Sequence, residues 1–252
     1  MRDEAGRGLG LAGTLGWLCA AFLFVASVMT LLLSYDITAP APTSLPRNRP
    51  NLLTATTAYF ANERQRWPQE AVSGILFVAG FVTLVGVAIL FSHRRGSIEL
   101  TGRFMVTALG IGAALGAGSG LAQLGAEQVA IDPHLCDCKY SAMQVISQGR
   151  GLALIQGSGD WLLYGFFALA AAAFAVAAIP ANASDMGRGW RTLSVVIAAL
   201  FVVGLMASAL GASTLNDLTV GVGGGILIPV WAVWTSRARN DLALPEAVAQ
   251  EL

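Results

Sequence analysis

Apolar residues run along this chain in six blocks of about 18–23 residues, at about 11–33, 71–92, 104–125, 161–180, 192–212 and 218–235. None carries Asp, Glu, Lys or Arg deep in its interior, and Asp217 falls just ahead of the last block. About 20 apolar residues carry an α-helix across a hydrocarbon core. The pattern therefore predicts an all-α fold: one domain over 1–252, a six-span transmembrane helix bundle with two structured extracytoplasmic loops. The third and sixth blocks are glycine-rich and the weakest by hydropathy, but their length and lack of charge keep them as spans. The first run, at about 23 residues, exceeds the 7–15 of a signal-peptide core, so it reads as a span.

Two longer polar stretches, 34–69 and 126–159, are the predicted outer loops. In the first, Ala39-Pro-Ala-Pro-Thr-Ser-Leu-Pro-Arg-Asn-Arg-Pro50 is extended by its prolines. Beyond Asn51, the residues Leu52, Thr56, Tyr59, Phe60 and Trp67 recur at helical spacing with Glu63, Arg64 and Arg66 between them. That predicts a short amphipathic surface helix, separate from the second span. In the second loop, Ser141 to Leu154 reads as a helix ended by Gly157-Ser-Gly159, before Asp160 opens the fourth span.

Arginine placement orients the bundle. With the N-terminus inside, Arg2, Arg7, Arg94, Arg95, Arg103, Arg188, Arg191, Arg237 and Arg239 sit on the cytoplasmic side close to span ends, as the positive-inside rule requires. Arg47, Arg49, Arg64, Arg66, Lys139 and Arg150 spread over the two outer loops. Both termini are thus expected in the cytoplasm. All six tryptophans fall near predicted interfaces, as in an aromatic belt.

Composition agrees with a membrane protein: 55% of the 252 residues are hydrophobic and only 12% charged, half the charge of a soluble domain. Zero net charge gives no reason to expect nucleic acid as a partner. The expected surroundings are the lipid bilayer and either another membrane protein or a second copy of the chain. Lys139 is the sole lysine beside fourteen arginines, which suggests a GC-rich bacterial genome and hence the bacterial plasma (inner) membrane.

Several constellations could carry chemistry. His134-x-Cys136-x-Cys138 offers imidazole and thiolate ligands for zinc or copper, although the spacing is tight and a fourth ligand is missing. The same Cys136 and Cys138 could form a strained disulfide, and incidental cysteines are the default. Gly112, Gly116 and Gly120 share one face of the third span, for helix packing by default or for a pore wall. In the sixth span Gly221-Val-Gly-Gly-Gly225 precedes Pro229, a combination that loosens a helix and could line a binding site. Asp36, Glu70, Glu127, Asp160 and Asp217 mark the outer span ends; helix capping explains them first, cation attraction second. A similar opening of the first and fourth spans (Gly16-Trp-Leu, Asp160-Trp-Leu) hints at an inverted repeat.

Absences narrow the chemistry further. His93 and His134 are the only histidines, and neither falls inside a span, so there is no axial pair for a membrane haem. Rhomboid proteases also have six spans, but Ala117-Gly-Ser119-Gly120 lacks the first glycine of their nucleophile motif and Ser119 has no histidine to activate it. No carboxylate is expected to be buried, so no proton relay is expected either. Three functional readings remain, in this order: a non-enzymatic accessory, sensory or assembly component acting through its outer loops; a small-solute transporter or channel using spans three and six; and a thiol-redox or metal-binding protein using the loop cysteines.

Overall fold

The computed structural model describes residues 2–38, 52–94, 100–131, 142–179, 187–210, 215 and 218–237. Six helices are long and apolar enough to cross a membrane: α1 (Arg2–Ser34), α2 (Leu52–Arg94), α3 (Leu100–Ile131), α4 (Ala142–Ala177), α5 (Arg188–Ala209) and α6 (Thr219–Arg237). No strand occurs among the described residues.

Each helix runs antiparallel to the one before it and packs against it, and α6 closes back onto α1. The close approaches show the alternation. Gly80 of α2 lies against Leu23 of α1, Gly112 of α3 against Leu169 of α4, and Gly16 of α1 against Ser236 of α6. The helices thus form a closed ring in chain order, with α2 also touching α4 across the middle.

The expected separation of loop helices from spans does not hold. α2 is continuous through Pro68 for 43 residues, and α4 is continuous through Gly157 and Gly159 for 36. At 1.5 Å per residue these helices are about 65 and 54 Å long, far beyond a ~30 Å hydrocarbon core. The extensions persist because they have something to pack on. Tyr59 and Phe60 of α2 meet Leu152 of α4 beside Ala126 of α3 in a second small apolar core. The Trp67 indole also donates to the Leu124 carbonyl of α3 at 3.3 Å. A glycine inside a helix costs only about 1 kcal/mol. Pro68 removes one backbone bond, and the burial of neighbouring aromatics outweighs both.

At the opposite end the core is aromatic. Phe91, Trp190 and Trp231 are mutually packed with centroids 5.0–6.2 Å apart, and the chain of rings continues through Phe174, Phe201, Phe166 and Phe81. Trp190 and Trp231 are fully buried. They belong to the interior and not to an interfacial belt, whereas Trp17, Trp161 and Trp234 are exposed as a belt requires.

The two buried indoles form a reciprocal latch between α5 and α6. Trp190 Nε1 donates to Thr235 Oγ1, and Trp231 Nε1 donates to Ser194 Oγ, both at 3.0 Å. Each hydroxyl in turn donates to a tryptophan carbonyl on its own helix, Thr235 to Trp231 and Ser194 to Trp190. An indole N–H has no second way to be satisfied in this core. Ser194→Ala should therefore lower unfolding stability in detergent micelles by about 1–3 kcal/mol, and the double variant with Trp231→Phe should lose less than the two single losses added.

Candidate functional site

The site is built on one continuous face of α2 and one of α3. Along α2, Glu63, Arg66, Glu70, Gly74, Phe77 and Phe81 follow at helical spacing; along α3, running the other way, Gly116, Gly120, Gln123 and Glu127 do the same. Residues three and four apart share a helix face, so each helix brings an apolar stripe that ends in carboxylates.

The carboxylates converge. Glu63, Glu70 and Glu127 each place a carboxylate oxygen within 4.8 Å of those of the other two. Glu63 and Glu127 are buried, at 2% and 8% exposure, and Glu63 Oε1 has no hydrogen-bond partner. The expectation that no carboxylate would be buried is therefore wrong.

Arg66 is the organising cation. Its Nε donates to Glu70 Oε1 at 3.1 Å, one terminal nitrogen to Asp36 at 3.4 Å and the other to the Leu33 carbonyl at 3.1 Å. Leu33 lies in the last turn of α1, so the guanidinium also caps the negative end of that helix. α1 ends in a Schellman turn: Ile37 N–H reaches the Leu32 carbonyl and Asp36 N–H the Leu33 carbonyl. Asp36 takes the left-handed position, φ 55°, normally filled by glycine, and this aims its carboxylate at Arg66.

One helical turn deeper, about 6 Å along each axis, lies a cavity of about 190 Å³. Phe77, Phe81, Phe166, Phe167 and Phe201 line it, and Ser119 and Gln123 supply its polar side chains. It lies between spans three and six: Gly116 and Gly120 form one side, Val220 and Gly224 the other. The Val220–Gly224 side is π-helical, over Thr219–Leu227. The glycines there let α1 come close: a Cβ on Gly225 would sit 2.7 Å from Ser27 Cβ.

The residues singled out from sequence fall as follows. Gly112 and Gly116 pack on α4, where an added Cβ would lie 3.3 Å from Leu169 and from Phe166 respectively. Gly120 borders the cavity with nothing within 4 Å of such a Cβ. Pro229 lies apart from the cavity, in a surface groove with Trp17 and Trp234. Ser119 donates to the Gly159 carbonyl of α4 at 2.8 Å, a structural role. His134, Cys136, Cys138 and Asp217 lie outside the described residues, as does the side chain of Asp160. Among the described residues Cys19 is a buried free thiol. Capping does not account for Glu70 or Asp160, because both lie well inside their helices.

Glu63 is the buried carboxylate that pattern reading passes over, as a polar position on a surface helix. The available signal was its seven-residue spacing from Glu70, two turns along one face, with Arg66 between.

No family model, curated protein or solved structure matches this chain. Function therefore has to be argued from the site.

Arg66→Ala would leave a crowded group of carboxylates without its guanidinium. It should cost about 3 kcal/mol of stability by unfolding in detergent. Arg66→Lys should recover only part of that, because an ammonium cannot address Glu70, Asp36 and the Leu33 carbonyl together.

Proposed function

We propose that this chain is a membrane carrier for a small, neutral or weakly polar solute bound in the phenylalanine-lined cavity. Of the readings the sequence left open, this one ranked behind an accessory role. One observation moves it ahead: the cavity lies between the glycine-rich third and sixth spans and joins an apolar wall to two polar side chains, Ser119 and Gln123. Ligand sites are commonly apolar pockets with a few placed polar groups.

The size of the cavity limits the solute. An apolar cavity of about 150 Å³ accepts a benzene-sized molecule, so about 190 Å³ suits one aromatic or aliphatic ring with a polar head. The Gln123 amide can both donate to and accept from such a head.

Two features favour a carrier over an open channel. Below the cavity the rings of Phe174, Trp231, Trp190 and Phe91 pack against one another in tilted and edge-on pairs, which fills that end with aromatic side chains. Beside it, the π-helical segment bonds five residues apart, with Ile228 N–H to the Gly223 carbonyl, and such segments recur at functional positions. We place the carboxylate end outside and both termini in the cytoplasm of a bacterial plasma membrane, on the arginine distribution.

The test is solute flux. Gly120→Phe puts a ring into the cavity from a position with free space around it. In proteoliposomes, wild-type protein should give saturable uptake of an aromatic carboxamide such as nicotinamide, and Gly120→Phe should reduce it at least tenfold with the melting temperature retained. Uptake no faster than into protein-free vesicles, or equal for both proteins, would refute the reading for this solute class.

A further inference from the structure

We infer that Glu63, Glu70 and Glu127 form a binding site for one calcium-sized divalent cation, which ties α2 to α3 above the cavity. The inference does not depend on what the cavity carries.

The first observation is geometric. One oxygen from each of the three carboxylates lies within 4.8 Å of the others. Two oxygens on one calcium ion, at 2.3–2.6 Å each, lie at most about 5 Å apart, so three carboxylates inside that limit can share one. Magnesium is usually held by one or two carboxylates and keeps several waters, so a set of three carboxylates suits calcium better. The donor set is all oxygen, which selects a hard cation over zinc or copper(I).

The second observation is the state of Glu63. It is 2% exposed, and its Oε1 has no partner among the described residues. A buried carboxylate oxygen left unpaired is costly, and native interiors pair such atoms with protein, water or an ion. A purely structural network would direct a donor to it. Here the donor groups of Arg66 are turned to Glu70, Asp36 and Leu33.

Charge points the same way. The charged groups acting on Glu63 are the carboxylates of Glu70 and Glu127 and the guanidinium of Arg66. Carboxylates outnumber the guanidinium in this group, an imbalance that a bound cation would relieve. Arg66 contacts Glu70 through Oε1, and a carboxylate has lone pairs enough to accept that bond and still bind an ion. Water would complete the coordination shell, as is usual for calcium.

Equilibrium dialysis of the detergent-purified full chain against radiolabelled calcium, with calcium-dependent melting in parallel, tests the site. Wild-type protein should bind one calcium per chain saturably, resist displacement by a tenfold excess of magnesium, and melt at a higher temperature with calcium than with chelator. Affinity should fall on lowering the pH from 8 to 5, because protons and the ion compete for the same carboxylates. Glu63→Gln, close to the same shape without the charge, should weaken binding at least tenfold and abolish the calcium-dependent melting shift. Glu127→Gln provides an independent second variant should the first not fold. No saturable calcium in wild type, equal displacement by magnesium, or full binding in both variants would each overturn the proposal. None of these readouts involves solute flux, so failure here and failure of the carrier reading are separable.

Discussion

A peptide group inside hydrocarbon has no water to bond to, so each span must satisfy its own backbone before it can do anything else. That constraint makes every crossing a helix and leaves side chains to decide how the helices meet. Lipid supplies little hydrophobic drive between helices, so close packing takes over and small residues set the spacing. Glycine at 16, 80, 112 and 225 stands where a neighbouring helix is nearest, and there even one added carbon meets a side chain within 3.3 Å. The closed ring follows from antiparallel neighbours joined in order, with α6 meeting α1 at Gly16 and Gly225.

Within that ring the two ends solve different problems. The end at Trp190 and Trp231 is filled with rings whose N–H groups are paired across α5 and α6. A paired, close-packed interior of this sort resists rearrangement. The other end holds carboxylates, a guanidinium and a cavity, with Gly120 bordering open space.

The number and type of helices were legible because a span needs an uninterrupted apolar run, and that signal is long and linear. The arrangement at the carboxylate end was not. The Gly157–Gly159 pair is a strong local breaker and reads as a helix end, and Glu63 reads as a polar position on a separate surface helix. Tertiary contact reversed that local preference: Tyr59, Phe60 and Leu152 bury one another, and Trp67 bonds to α3. The same blindness to neighbours put Trp190 and Trp231 at an interface, since a tryptophan near a span end looks alike in sequence whether it faces headgroups or the core. The glycines of spans three and six were visible from the start, but sequence spacing alone could not tell Gly116, packed on Phe166, from Gly120, which faces space.

The length of α2 and α4 explains why so much charge can be buried at one end. A carboxylate at the centre of a bilayer is expensive and needs a special reason. A carboxylate beyond the span, enclosed by protein that projects past it, has a lower cost, because water and a counter-ion stay within reach. α2 carries Glu63 and Glu70 on the segment that precedes its uncharged run, while α3 brings Glu127 from its last turns and α1 ends at Asp36. The extensions thus enclose these groups in protein at one end of the bundle. There Arg66 can face three partners on α1, its terminal turn and α2 at once, and a group of acids can remain close together without the penalty that mid-membrane burial would impose.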